Sequence, residues 1–90
     1  MQKQTFEQAV MADGFDQPVE VSREANGFLD VHSHPFEARA LILCGEIEIG
    51  LGDTKRTYRA GEVFQLTRAQ PHWERYGPDG VTYWSARKES

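Results

Sequence analysis

The residues of this sequence best suited to chemistry are its three histidines, His32, His34 and His72. His32 and His34 stand two positions apart, and residues two apart on a β-strand point to the same face. Both imidazoles can therefore reach one point, and neutral imidazole is a favoured ligand of zinc, copper, iron and nickel. The spacing predicts a metal site that His72 completes from another part of the fold. Taken by itself, an H-x-H pair is more often two surface or half-buried histidines.

A carboxylate stands close to the third histidine. Glu74 follows His72 by two positions and would share its strand face. In that place a carboxylate can serve as a catalytic base beside a metal or as an added ligand. The alternative is a residue at the rim of the pocket with no chemical role.

These side chains need a fold that brings distant strands together, and the apolar pattern predicts one. Short runs of period-2 alternation follow one another, separated by turn residues such as Asn26-Gly27 and residues 77–80. We predict about eight strands, within residues 17–22, 28–32, 36–44, 46–51, 54–59, 62–66, 72–76 and 81–87. This spacing is typical of an all-β antiparallel sandwich or barrel. Residues 5–12 are predicted to form either one helical turn or an edge strand.

Length and composition limit the classes of protein. The 90 residues make one domain, which we divide into an N-terminal segment packing on the barrel (1–22), the barrel (23–87) and a tail (88–90). A net charge of −4 argues against a nucleic-acid partner, and no apolar run is long enough to span a membrane. A single cysteine, Cys44, and a start without a signal-like apolar core favour the cytoplasm. A chain of this size also favours a homodimer.

The order of these features resembles the two sequence motifs of the cupin superfamily, in particular its small single-domain cupin 2 type. Residues 27–45, with His32 and His34, match the first motif, and residues 61–76, with Pro71-His72, match the second. All three histidines of the chain fall on the histidine positions of the motifs. The resemblance implies a small antiparallel jelly-roll β-barrel, commonly dimeric, with the three histidines on one metal ion.

The sequence departs from these motifs at the position of their glutamate, which is Ala38 here. Glu37 stands one residue early, so in a regular strand Ala38 points inward and Glu37 outward. A bulge at Pro35 would reverse this and make Glu37 a fourth ligand. Thr67, Ala69 and Tyr76 replace the proline, glycine and asparagine of the second motif. The site is then a three-histidine centre, or one completed by Glu37, Glu74 or water.

The resemblance implies a metal-dependent enzyme acting on a small molecule held in the barrel, of dioxygenase or isomerase type. The metal is a divalent transition ion, and imidazole ligands alone leave Fe, Zn, Ni, Mn and Cu open. Two alternatives remain: a non-catalytic sensor or binding cupin, and a degenerate cupin without metal.

The strand pattern also predicts where several other apolar and aromatic side chains point in the barrel. Strand parity predicts that Cys44 points inward as a small apolar filler. Leu41 and Leu43 would point outward, either into a sheet-to-sheet dimer contact or under the N-terminal segment. A third group of aromatic side chains either lines a pocket or fills the core and interfaces: Phe36, Phe64, Trp73, Tyr83 and Trp84.

Overall fold

The computed structural model describes residues 1–89 and is built from one helix and six strands. The elements are α1 (Lys3–Ala12), β1 (Val19–Arg23), β2 (Phe28–His32), β3 (Glu37–Leu51), β4 (Thr54–Arg59), β5 (Val63–Leu66) and β6 (His72–Lys88). All strand pairs are antiparallel, which confirms the predicted all-β class. Across residues 1–89, no helix has both the length and the apolar composition needed to cross a membrane.

The long strands β3 and β6 pair with each other along most of their length and form the centre of the sheet. Each half of β6 has a different outer neighbour, β2 at its start and β1 towards its end. The two halves of β3 likewise pair outward with β5 and then with β4. The sheet therefore consists of two four-stranded halves joined through bent central strands, an arrangement consistent with a cupin barrel. Their inner faces enclose an apolar core that includes Ala40, Ile42, Ile47, Ile49 and Phe64.

Fewer and longer strands form than the eight we predicted. Residues 36–44 and 46–51 join into β3, and residues 72–76 and 81–87 join into β6. At residues 77–80 the chain bulges outward between the pairs Tyr76–Ile47 and Val81–Gly45 and does not reverse. Gly45 and Gly80 have positive φ angles at this bend, where a Cβ on Gly45 would lie 2.1 Å from the Gly80 carbonyl oxygen. The glycines thus bend the strands where the sequence pattern indicated strand ends.

Helix α1 covers the outer face of the sheet. The structure resolves the choice for residues 5–12 in favour of a helix, and α1 is longer than the single turn we considered. Phe6 and Val10 are buried against Leu41 and Ala86, and Leu41 is 1% exposed. Burial of each such large apolar side chain contributes about 1.5–3 kcal/mol. Of the two expectations for Leu41, cover by the N-terminal segment is the one observed.

The prediction for Cys44 is wrong, because its side chain is exposed. Ile42 pairs with Tyr83 and Cys44 with Thr82, so Leu43 is an extra residue in β3. A one-residue bulge exchanges the inward and outward faces of the strand beyond it. For this reason Ala38, Ala40 and Ile42 point inward before the bulge, and Ile47 and Ile49 point inward after it.

Candidate metal centre

The start of β6 and the end of β2 bring the three histidines together. His32 is the last residue of β2 and is the register partner of His72, the first residue of β6. His34 lies two residues beyond the end of β2. The imidazole centroids of His32 and His72 are 4.2 Å apart, and that of His34 lies 5.0 Å from His32 and 5.2 Å from His72. The histidines therefore converge, as their spacing predicted.

Glu74 joins the histidines as a fourth group. It lies on the same face of β6 as His72, and one ligand atom from each of the four residues lies within 4.8 Å of all the others. His72 is 1% exposed and Glu74 is 7% exposed, so Glu74 is an interior residue and does not lie at the rim. Three imidazoles and a carboxylate are a donor set that suits iron, zinc, nickel, manganese and copper.

Backbone carbonyls fix the tautomers of two of the imidazoles. His32 Nδ1 lies 2.7 Å from the Asp30 carbonyl oxygen, and His72 Nδ1 lies 3.0 Å from that of Gln70. A carbonyl oxygen only accepts hydrogen bonds, so each Nδ1 is the donor and carries the proton. In the neutral imidazoles the lone pair is then on Nε2, which faces the cluster.

The neutral Nε2 atoms leave the cluster rich in acceptors, as a cation site is. Glu74 Oε2 lies 3.2 Å from His72 Nε2 and 3.4 Å from His32 Nε2. His32 Nε2 is buried without a hydrogen-bond partner among the described residues. Buried acceptors that face one another repel unless a proton or a metal ion lies between them. These residues therefore fit a divalent metal ion.

The pKa values follow from this crowding. Burial alone would lower the pKa of His72, but hydrogen bonds to the Glu74 carboxylate and the Gln70 carbonyl outweigh it and raise the pKa. For Glu74, burial favours the neutral acid, yet the hydrogen bonds with His72 and Tyr76 prevail and lower its pKa. Burial, and then the charges of His72 and His32, lower the pKa of His34. Both directions of shift favour a protonated His72 beside an ionised Glu74.

Tyr76 supports the site in a way that sequence reasoning missed. Its hydroxyl donates a hydrogen bond of 3.0 Å to Glu74 Oε1, which leaves Oε2 for the cluster. Burial, followed by the charge of Glu74, raises the pKa of Tyr76, so the hydroxyl stays a donor. The signal was present in the sequence, because Tyr76 continues the two-residue spacing of His72 and Glu74 on one strand face.

Glu37, the other carboxylate we considered as a fourth ligand, does not reach the cluster. Its carboxylate accepts a hydrogen bond of 2.6 Å from the Gln65 side chain on the neighbouring strand β5. β3 is regularly paired from Glu37 to Ile42, so Ala38 occupies the inward position and Glu37 points away. The carboxylate that joins the histidines thus comes from β6 and not from β3, where the cupin motif has its glutamate.

A cavity of about 100 Å³ adjoins the histidines inside the barrel. Among the aromatic residues that we considered for a pocket, Phe36, Phe64 and Tyr83 line it. Trp73 lies instead over Gly50, and Trp84 packs against Phe6 of the helix. The other lining residues are Val21, Arg23, Leu29, His32, His34, Ala38, Leu66, Glu74, Ser85 and Arg87. The cavity gives a small molecule access to the candidate metal position.

Comparison with protein-family models finds no match for this sequence, and comparison with curated proteins finds none either. Among solved structures, 107 chains match. An RmlC-like cupin from Shewanella frigidimarina NCIMB 400 superposes with a TM-score of 0.70 at 16% identity, covering 82% of this chain and 66% of its own. The cupin domain of Cnp3 from Schizosaccharomyces pombe gives a TM-score of 0.73 at 18% identity, with 82% and 52% covered.

A third structure, the DMSP lyase DddQ from Ruegeria pomeroyi DSS-3, gives a TM-score of 0.72 at 23% identity, with 80% of this chain and 37% of the lyase covered. This chain therefore spans less than two thirds of each of these three relatives. At such identities the likeness concerns the fold. The strand arrangement and these matches together show that the chain has the cupin fold.

Proposed function

We propose that this protein is a metal-dependent enzyme that acts on a small molecule inside the barrel. The observation that carries the proposal is the convergence beside a cavity of four ligand atoms within 4.8 Å, two of them from the buried residues His72 and Glu74. Two of the imidazoles are oriented by backbone carbonyls, as ligands of a resident metal usually are. A structural role for the cluster would not require the unsatisfied Nε2 of His32.

Each residue has a part in this proposal. His32, His34, His72 and Glu74 hold the ion, and Tyr76 orients the Glu74 carboxylate. A bound divalent ion supplies Lewis-acid polarisation of a coordinated substrate and lowers the pKa of bound water. The position of Oε2 among the imidazole nitrogens supports Glu74 as a ligand over Glu74 as a separate catalytic base.

The type of reaction, dioxygenase-like or isomerase-like, follows from the family resemblance alone. One of the structures with this fold is a lyase, so the fold accommodates enzymes of more than one class. The metal is one of iron, zinc, nickel, manganese and copper, and measurement must decide among them.

The experiment begins with elemental analysis of protein purified without an affinity tag, before and after reconstitution with each candidate metal. We expect about one equivalent per chain, retained in Glu37→Gln and largely lost in His72→Ala. Occupancy below about one tenth of an equivalent with every metal would leave a degenerate cupin without metal. Oxygen uptake and product analysis with small thiols, diketones and phenolics then test catalysis. A metal-loaded protein that binds compounds from this panel without turnover is a sensor or binding cupin.

We also propose that the protein forms a homodimer in the cytoplasm. The dimer is supported by the modest core of a 90-residue chain and by apolar side chains on β1 and β2, of which Val19 is 64%, Val31 61% and Phe28 53% exposed. The exposed thiol of Cys44 supports a reducing compartment. Light scattering should give twice the chain mass of 10.3 kDa, and a monomer at about 100 μM would overturn the dimer.

A further inference from the structure

The cavity beside the candidate metal centre is lined by two arginines, Arg23 on β1 and Arg87 on β6. Among the residues that the structure describes, neither has a carboxylate partner within 4.0 Å. Arginines elsewhere on the surface do have such partners, namely Arg39, Arg56, Arg59 and Arg75. Among the described residues, the arginines without a carboxylate partner are thus the two of the cavity and Arg68, which donates a hydrogen bond to the Glu89 carbonyl.

Arg87, one of the two cavity arginines, is positioned by an aromatic side chain of the cavity wall. The Arg87 guanidinium carbon lies 4.3 Å from the centroid of Phe36, and Phe36 stacks on His34 with a centroid distance of 4.9 Å and an interplanar angle of 17°. One aromatic ring therefore separates Arg87 from a candidate metal ligand. Arg23 and Tyr83 lie on the paired strands β1 and β6, and both line the cavity. Both arginines are exposed residues that line the cavity, and the contact with Phe36 holds the guanidinium group of Arg87 there.

The local charge is opposite to that of the whole chain, whose net charge is −4. Among the residues lining the cavity in the described part of the chain, Glu74 carries the only carboxylate, and it is engaged by His72 and Tyr76. Three neutral imidazoles and one carboxylate leave a divalent ion with a net positive charge. Two guanidinium groups beside it make the cavity attractive to anions, and guanidinium matches the two oxygens of a carboxylate.

We propose that the substrate is a small organic carboxylate whose charged group binds Arg23 and Arg87 while its other end faces the metal centre. The part of this inference that places the other end of the substrate at a metal centre rests on the proposed function. The cavity of about 100 Å³ has room for a few non-hydrogen atoms, since one water occupies about 30 Å³ of liquid.

The test is a pair of NMR titrations of zinc-reconstituted protein, one with butyrate and one with its neutral amide, butyramide. We expect butyrate to shift the signals of Ala38, Phe64 and Tyr83 saturably and to bind more tightly than butyramide. Arg23→Gln and Arg87→Gln should each weaken butyrate binding about fivefold and leave butyramide binding and zinc content unchanged. Arg75→Gln is the matched control, because Arg75 pairs with Glu48 outside the cavity and its loss should change nothing.

Equal affinity for acid and amide, or butyrate binding that survives both substitutions, would overturn the proposal. Tighter binding of inorganic phosphate than of butyrate would overturn the choice of carboxylate. The same titrations on chelator-treated protein separate this inference from the proposed function. If the protein takes up no zinc, the metal centre fails, while arginine-dependent butyrate binding still decides whether the cavity recognises carboxylates.

Discussion

At the scale of single residues, His32 and His72 are oriented by the same local device. Each donates its Nδ1 hydrogen to the carbonyl oxygen of the residue two positions earlier, Asp30 and Gln70 respectively. Each Nε2 is thereby directed at the cluster before any ion binds, so little side-chain entropy remains to be lost on ligation. Glu74 is fixed in a similar way by the Tyr76 hydroxyl.

We expect Glu74→Gln to weaken metal binding by at least about tenfold, because an amide replaces the one charged ligand. Glu37→Gln is the matched control, since Glu37 points away from the cluster and bonds to Gln65. Competition with a chromophoric chelator measures both affinities. If Glu37→Gln lowers the affinity and Glu74→Gln does not, the carboxylate has been assigned to the wrong strand.

The pH dependence of metal binding follows from the raised pKa of His72. Below that pKa, Nε2 of His72 is protonated and does not ligate, so metal must displace a proton. Affinity should rise with pH by about tenfold per unit for each proton displaced and level off above the pKa. Zinc affinities between about pH 5 and pH 8 measure this slope, and calorimetry in two buffers counts the protons released. An affinity that does not change over this range would contradict the histidine ligands.

At the scale of elements, strand β6 positions half of the centre. Its alternation places His72, Glu74 and Tyr76 on one inward face and puts Trp73 on the other, over Gly50 of β3. A Cβ on Gly50 would lie 1.9 Å from Trp73 Cε2, a distance that real structures do not tolerate. The bare backbone of Gly50 is therefore what allows β6 to lie close to β3 at the metal centre.

Gly50→Ala should lower the free energy of unfolding by about 1–3 kcal/mol and reduce metal affinity, because Trp73 must move and it stands between two ligands. Gly52→Asn is the control, since Gly52 has a φ of +58° and no neighbour within 4 Å, and asparagine tolerates that conformation. Chemical denaturation of both variants with metal removed measures the difference. Equal midpoints for Gly50→Ala and the unsubstituted protein would show that Trp73 adjusts without cost.

At the scale of the whole molecule, two apolar layers lie on opposite faces of the sheet. The inner layer fills the barrel, and the outer layer joins α1 to β3 and β6. Among the described residues, the outer layer and the metal cluster have no member in common, so we expect that the stability of the fold and the affinity of the site can be changed separately. Phe6, which is 1% exposed, contributes a large side chain to the outer layer.

Phe6→Ala should destabilise the protein by about 3–5 kcal/mol through loss of buried surface and the cavity left behind. Met11→Ala is the control, because Met11 lies on the same helix and is 49% exposed. Metal stoichiometry of folded Phe6→Ala should remain that of the unsubstituted protein. Loss of metal at temperatures where this variant is still folded would link α1 to the centre and contradict the separation of the two layers.

The sequence by itself determined the class of fold and identified the histidines as the candidate metal ligands. Period-2 alternation follows from which side of a strand faces a core, and the two-residue spacing of His32 and His34 is a local property of the chain. The position of the third histidine came from the order of the motifs. Strand alternation and the two-residue histidine spacing are properties of residues close together in the chain, and the third histidine was assigned from motif order. The observed convergence of the three histidines agrees with these predictions.

Only the tertiary structure decided which carboxylate joins the histidines, what covers the outer face of the sheet, and which residues of β3 point inward. Whether Glu37 or Glu74 faces the histidines depends on strand register, which is set by pairing with distant strands. The extra residue at Leu43 reverses the direction of Cys44, and α1 forms where Phe6 and Val10 meet Leu41 across the sheet. A short helix is marginal in isolation and owes its stability to such packing. These features depend on contacts between segments far apart in the chain, which local patterns of residue type do not encode.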